Sequence, residues 1–417
     1  MSRTRIIVAM AACYFLFAIL LNSVGTVILQ SIQTFAVSKG QAATLEGFKD
    51  LPIAIVSFLV ASFIPRIGYK VALLAALCVV AVVAVLTPSI GHFWAIKLLF
   101  AAIGSAFAIV KVSVYALIGQ VTSDAKQHSS LLNTIEGIFM VGVLSGYWVF
   151  AAFIDGESGS MAWLQVYYLL AALIALTMLV VWLAPINKPA QSTNTPLAQD
   201  FVMMLKLAAQ PLVLVFVLSA FLYVLIEQGV GSWLPTFNNE ILHLPVTVSV
   251  QLTSLFAASL ALGRLLAGQI LKFIPWYVFL NCCLLGMAVL IVLTLPLTQN
   301  VAPQAVSSIF SAPLAAYLMP LIGLLMAPIY PLINSVMLSS LAKAQHAAMT
   351  GLIVVFSALG GTTGSIITGL VFEYFSGQHA FYGALLPIAG VAVCLFFFKR
   401  RAELQQAAQN QNVVGAQ

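Results

Sequence analysis

Only 7% of the residues are charged, yet several of those charges lie inside long apolar runs. Lys111 stands within Ala101–Ile118, and Glu46, Lys49, Asp50, Glu136 and Glu227 lie within or at the edges of other hydrophobic stretches. An ionisable side chain in hydrocarbon costs about 2.5–3.5 kcal/mol on insertion scales, so such groups face a polar cavity or one another and mark a solute pathway. Their possible chemistry is ion pairing, proton uptake by the carboxylates and capture of an anion by the lysine.

Spacing refines this. Glu46 and Asp50 are four residues apart and share a helix face, with Lys49 three residues from Glu46. At about 1.5 Å per residue, Asp50 lies about 10 Å from the outer end of its span, and Asn22 and Glu227 reach comparable depth in theirs. We expect a polar cluster in the outer half of a central cavity, with Asp50, Glu227 and Glu46 as proton-coupling groups. The alternative is a structural ion-pair network among Glu46, Lys49 and their neighbours. Lys111 and Glu136 come to a common depth, each about one to two turns from the cytoplasmic ends of adjacent spans. Two readings stand for them: an ion pair that ties the helices together, or an anion-binding lysine whose resting counter-ion is Glu136. Tyr223, Trp233, Tyr330 and Asn334 offer aromatic and hydrogen-bonding surface. The expected substrate-binding set is Lys111, Glu136, Asn22, Tyr223, Tyr330 and Asn334. Gly229 and Gly231, next to Glu227, suggest a helix able to bend at a gate.

The elements that hold these residues follow from composition. Of 417 residues, 62% are hydrophobic, against roughly 45–50% in soluble domains. Mean hydropathy is +1.09. Such a chain needs lipid as its solvent. The net charge of +6 does not imply nucleic acid, because the basic residues sit at the ends of apolar runs rather than in a patch. The five cysteines lie in apolar segments without metal-ligand spacing, which suggests small core residues. There is no phosphate-cradling loop and no His-Cys cluster, so neither cofactor, metal nor catalysis is expected. The basic Ser2–Arg5 segment precedes an apolar stretch to about Gln30, longer than a signal core, and reads as a retained first span.

A spanning helix needs about 20 apolar residues, and twelve candidate spans fit: 6–30, 43–64, 71–88, 93–118, 131–153, 163–183, 211–234, 248–271, 276–297, 313–338, 350–372 and 380–398. The polar stretch Pro185–Asp200 divides them six and six, which gives bundles over 1–184 and 210–399, a linker over 185–209 and a tail over 400–417. Arg3, Arg5, Arg66, Lys70, Lys126, Lys188, Lys206, Lys272, Lys343, Lys399, Arg400 and Arg401 gather on one side, with little beyond Lys39 and Lys97 on the other. That bias puts both termini and the linker in the cytoplasm.

The halves also echo each other. Ala61-Ser-Phe-Ile-Pro65-Arg66-Ile-Gly68-Tyr-Lys70 follows the second span, and Gly268-Gln-Ile-Leu-Lys272-Phe-Ile-Pro275-Trp276 follows the eighth. Gly137, Gly142 and Gly146 in the fifth span answer Gly360, Gly361 and Gly364 in the eleventh. Corresponding features in two halves are the mark of repeat-built secondary transporters.

With six plus six spans, a cytoplasmic linker and a basic glycine turn after span two, the chain resembles the major facilitator superfamily over nearly its whole length. Of that family's loop signature, Arg66, Gly68 and Lys70 are kept as the conformational loop, while Ala61 and Pro65 replace a glycine and an aspartate. Phe221-Leu-Tyr223-Val-Leu-Ile-Glu227-Gln228-Gly-Val-Gly-Ser-Trp233, Gly263-Arg264 and Pro328-Ile-Tyr330-Pro331 resemble the fucose:proton symporter family. That resemblance implies carboxylates in spans one and four, where an ungapped placement puts Gly25 and Lys111. Altered electrostatics, and a different solute, are the expectation.

Together these observations predict an all-α membrane protein with twelve transmembrane helices in two pseudo-symmetric six-helix bundles. The expected function is secondary active transport of a small polar solute, acidic or zwitterionic, across a bacterial inner membrane by alternating access, coupled to protons. A proton-driven exporter of drugs or metabolites such as siderophores, and a sugar:proton symporter, are the alternatives. Expected partners are the solute, protons and the lipid bilayer, with the chain acting as a monomer.

Overall fold

The structure, a computed structural model, describes residues 2–157, 159–186, 204, 206–299, 306, 308–339, 341 and 345–414. The described residues are helical, with no strand among them. In the first half, α1 (Ser2–Asn22) and α2 (Val24–Phe35) share one span, followed by α3 (Lys39–Ile67), α4 (Tyr69–Ile90), α5 (Phe93–Val121), α6 (Ala125–Ala151) and α7 (Val166–Leu183). The second half begins with α8 (Pro211–Gly231) and its short continuation α9 (Leu234–Glu240), then α10 (Val246–Ile270) and α11 (Trp276–Thr294). A broken tenth span comprises α12 (Leu314–Leu318), α13 (Ile322–Met326) and α14 (Ile329–Ser339). Last come α15 (His346–Tyr374), α16 (Gly377–Gly383) and α17 (Leu385–Val414).

Eleven helical segments among the described residues are long and apolar enough to cross a membrane. The twelfth crossing is α3, whose 29 residues extend about 43 Å at 1.5 Å each. Most of the expected linker, residues 187–203 and 205, lies outside the described residues, as do 415–417 of the expected tail. Large apolar side chains such as Val79, Leu98, Leu176, Trp182, Leu265 and Leu293 stand exposed around the outside, a surface suited to acyl chains. The cysteines divide between this surface and the core. Cys13, Cys283 and Cys394 are buried as core residues, but Cys78 and Cys282 are exposed, contrary to that expectation, and Cys282 differs from its neighbour Cys283 because adjacent positions on a helix turn to different faces.

Local chemistry sets the helix ends. Ser38 opens α3 with a reciprocal cap: its hydroxyl accepts from Gln41 N–H at 3.2 Å while Gln41 Oε1 accepts from Ser38 N–H. Asp124 caps α6 by accepting from Gln127 N–H at 2.8 Å. Gly68, at φ +98°, makes the tight turn between α3 and α4, a conformation glycine adopts without a Cβ penalty. The first span breaks at Ser23, where Asn22 Nδ2 donates to Ala18 O and Ser23 Oγ donates to Leu20 O. Side chains bonded back to backbone carbonyls bend a helix there. The seventh span breaks at the matching place, Ser232–Trp233, with Pro235 restarting the helix.

The glycine echo has a packing basis. A Cβ at Gly142 would stand 2.6 Å from Phe15 O on α1, and one at Gly360 or Gly364 would collide with Phe221 O or Leu225 O on α8. Spans one and five thus touch backbone to backbone, and spans seven and eleven repeat the contact.

Between the halves, α3 packs on α15, α6 on α10 and α2 on α9. Polar contacts across this interface cluster at the end remote from the chain termini: Gln33 Nε2 donates to Asn239 Oδ1 at 3.0 Å, Gly40 N–H donates to Glu373 Oε2 at 2.8 Å, and Lys39 pairs with Glu240 at 3.1 Å. That end is closed.

Candidate functional site

Three charges of α3 lie behind this closed end. Lys49 Nζ donates to Glu46 Oε1 and stands 3.5 Å from Asp50 Oδ1. Relative exposure is 0% for Glu46, 5% for Lys49 and 8% for Asp50, so water does little to solvate them. The second half completes the cluster. Ser232 Oγ donates to Glu46 Oε2 at 2.9 Å, with Gln228 Oε1 3.1 Å away, and the Asp50 carboxylate packs on bare Gly361. The structure therefore places Glu46, Lys49 and Asp50 in an ion-pair network at the seam between the bundles. Ser232 and Gln228, which sequence reasoning had not singled out as ligands of this network, become visible only when the two breaks are brought face to face.

A cavity of about 80 Å³ adjoins the network, lined in part by Asn22, Gly25, Lys49, Tyr147, Glu227, Gln228 and Ser232. That volume has room for a few waters but not for an organic solute of ordinary size. Gly25 is pressed against the other half, where an added Cβ would stand 2.7 Å from Ser232 O. The side chain of Asn22 bonds its own helix at Ala18 O while bordering this cavity.

Glu227, half-buried, accepts from the Tyr223 hydroxyl at 3.2 Å. The Tyr223 ring stacks on Tyr330, with centroids 5.5 Å apart, and the Tyr330 hydroxyl lies 2.9 Å from Ser357 Oγ. Asn334, one turn beyond Tyr330, keeps a buried Oδ1 without a hydrogen-bond partner. Trp233 is turned elsewhere: it is fully buried against Phe372 and donates to Ser365 Oγ. Gly229 and Gly231 make room for Thr368 and Phe256 immediately before the helix break.

On the other side of the midplane, Lys111 and Glu136 do not pair. The Tyr115 hydroxyl donates to Glu136 Oε1 at 3.0 Å, and Lys111 Nζ lies 5.9 Å from the Tyr115 ring centroid. Tyr115 is one turn beyond Lys111, and that spacing was the available sign that it could intervene. Among the described residues Lys111 has no salt-bridge partner. Arg264 of α10 reaches across to α6, with Nη1 3.7 Å from Met140 Sδ. In the conformational loop, Lys70 Nζ donates to Ala184 O at 2.9 Å, which satisfies a terminal carbonyl of α7. Gly68 supplies the turn, and the side chain of Arg66 lies outside the described residues.

Two broken, pseudo-equivalent spans meet over a polar seam, and beyond it Lys111 and Arg264 have no salt bridge among the described residues. The sequence model of the Major Facilitator Superfamily matches residues 10–364. The chain belongs to that superfamily. No curated protein matches the sequence of this major facilitator chain significantly. Solved structures resemble it in fold. A bacterial homolog of the human lysosomal transporter Spinster, inward-facing and unoccupied, superposes with a TM-score of 0.68 at 15% identity, covering 97% of each chain. The nucleoside transporter NupG gives 0.69 at 15% identity, covering 95% of this chain and 98% of its own. The fucose:proton symporter FucP, in the outward conformation, gives 0.63 at 15% identity, over 95% and 99%. The protein is accordingly a multi-pass membrane protein with a transporter fold, similar to that symporter; members of this superfamily are transporters, not enzymes.

Proposed function

We propose that this major facilitator chain is a proton-coupled secondary transporter that carries a small acidic or zwitterionic organic solute across a bacterial inner membrane as a monomer. The observation that carries the proposal is Lys111. It is a lysine within a membrane span, half-buried and without an ion-pair partner among the described residues, while the Glu136 carboxylate is held by Tyr115. A cation is kept there against its insertion cost when a ligand or a cavity compensates it. Lys111, Glu136, Asn22, Tyr223, Tyr330 and Asn334 would bind the solute. Asp50, Glu227 and Glu46 would carry the proton, and the turn of Arg66, Gly68 and Lys70 would follow the change of state.

Basic residues at the end bearing the termini support a cytoplasmic assignment for that end. The closed seam then faces outward and the solute site opens inward. Proton coupling draws support from the carboxylates along the seam, and two structural relatives are described as proton symporters, for fucose and for D-xylose.

The test is uptake and counterflow in proteoliposomes, using a panel of labelled organic acids, amino acids and sugars. An imposed pH gradient should drive accumulation, and a protonophore should abolish it. Glu227→Gln should lose accumulation but keep counterflow exchange. Accumulation that ignores the pH gradient and requires sodium would refute proton coupling.

A further inference from the structure

Arg264 is the sole charged residue of α10. Its guanidinium is exposed, touches Met140 Sδ and has no carboxylate in salt-bridge contact among the described residues. Met140 belongs to a single stripe of α6. Glu136, Met140, Val143 and Tyr147 recur at helical spacing, so they share one face. Val143 and Tyr147 line the seam cavity, and Glu136 accepts from the tyrosine beside Lys111. This stripe therefore leads from the cavity, past Arg264, to Lys111. Arg264 touches this face directly through Met140, and Lys111 lies beside the Tyr115 that bonds it through Glu136.

Glu227 is Arg264's counterpart in charge. The groups that act on it are Arg264 from α10, Lys49, Glu46 and Asp50 from α3, Tyr223 from its own helix and Tyr330 from α14. Lys49 is already committed to two carboxylates. Glu227 lines the seam cavity with Val143 and Tyr147, where that stripe begins, so Arg264, which has no salt bridge among the described residues, is the cation placed to balance it.

We propose that Arg264 binds the carboxylate of a hydroxylated organic monoacid, and that Glu227 is its counter-ion in the empty carrier, set aside when a proton loads that carboxyl. This rests on the proton-coupled reading above and names its substrate class. Counted together, Lys111 and Arg264 balance Glu136 and Glu227. A proton passing from solvent to the Glu227 carboxylate leaves one positive charge in excess, and one bound monoanion restores neutrality. The loaded carrier then turns over without carrying a net charge through a low-dielectric layer, a burial that would otherwise be expensive. Guanidinium suits this role because its planar fork grips a carboxylate through two N–H bonds. A hydroxyl of the solute has a partner in the Asn334 Oδ1, which lies buried without a hydrogen bond among the described residues, one turn from the Tyr330 that stacks on Tyr223.

D-Glucuronate and D-glucose form a matched pair of probes, alike except for the carboxylate. Their affinities for the full-length purified chain are measured by calorimetry over a range of pH. Wild type should prefer glucuronate, and more strongly at acidic pH. Arg264→Gln should weaken glucuronate binding about tenfold or more, the size of a lost charge-assisted contact, and leave glucose unchanged. Arg264→Lys should recover part of the loss, and Glu227→Gln should keep glucuronate binding while losing its pH dependence. Thermal unfolding of each variant separates this pattern from a folding defect. A wild type that does not discriminate between the probes overturns the substrate class. Retained preference in Arg264→Gln, or loss of binding in Glu227→Gln, overturns the assignment of roles. If Lys111→Met loses the preference while Arg264→Gln keeps it, the transport reading stands and the Arg264 assignment falls. If pH gradients drive no uptake of any solute, it is the underlying reading that fails.

Discussion

Replacing Lys49 by methionine probes the closed seam directly. Lys49 neutralises Glu46 and Asp50, which are 0% and 8% exposed. Its loss orphans two buried carboxylates, and removing one partner of a buried ion pair costs about 3–5 kcal/mol. All three groups ride on α3, so parting the bundles does not separate them, but it lets water reach them. The penalty therefore falls on the closed form alone, and it should shift the balance toward the form open at this end by about 10²- to 10³-fold. Thr362 reports on that balance, since it packs against Gly47 across the seam. A cysteine placed there should react slowly with a water-soluble maleimide, and Lys49→Met should accelerate the reaction by a large part of that factor. The three native thiols in the core and the two on the lipid face are poor targets for such a reagent. Acidification, which neutralises the orphaned carboxylates, should reverse the acceleration. So should adding Glu46→Gln and Asp50→Asn. An unchanged rate in a folded Lys49→Met protein would refute the claim that these charges control closure.

Lys111→Met should abolish transport with thermal unfolding close to wild type, because no ion pair is lost; Lys111→Arg should recover part of the activity, since it keeps charge in another geometry. An unstable Lys111→Met protein rescued by Glu136→Gln would instead identify a structural pair. Gly25→Asp, which restores the acid implied by the resemblance to fucose symporters, should block closure and transport. Its Cβ alone would press on Ser232 O at 2.7 Å, and faster maleimide labelling at position 362 would record the blocked state. Normal transport by that variant would count against the close approach of the two breaks.

Hydropathy and charge bias made the spans legible to within a few residues, because membrane helices must be both long and apolar. The candidate site was legible in depth but not in direction. Counting residues set Lys111 and Glu136 at one level, yet it could not say that Tyr115 would stand between them. The same counting placed Asn22 and Glu227 near Asp50, whereas Ser232 and Gln228 joined the cluster only through the meeting of two breaks far apart in sequence. Arg264 carried a signal of its own, a lone charge in an apolar span, that resemblance to a family had overshadowed. Trp233 shows the opposite case, since an aromatic at a suggestive position proved to be core.

The glycine contacts differ in kind according to where they lie. Inside each half, Gly104, Gly142, Gly263, Gly360 and Gly364 rest on backbone carbonyls of a neighbouring helix. Across the halves, Gly40, Gly47 and Gly361 rest on the ends of side chains, namely Leu370, Thr362 and Asp50, while Gly25, at the meeting of the two breaks, departs from this rule and rests on the Ser232 carbonyl. The first kind is a weld: a peptide group cannot swing aside, so joined helices travel as one piece. The second is a bearing, whose surfaces can part and reseat by small rotamer adjustments. An added methyl should consequently act differently in the two classes, impairing assembly of the protein at a weld and slowing its turnover at a bearing.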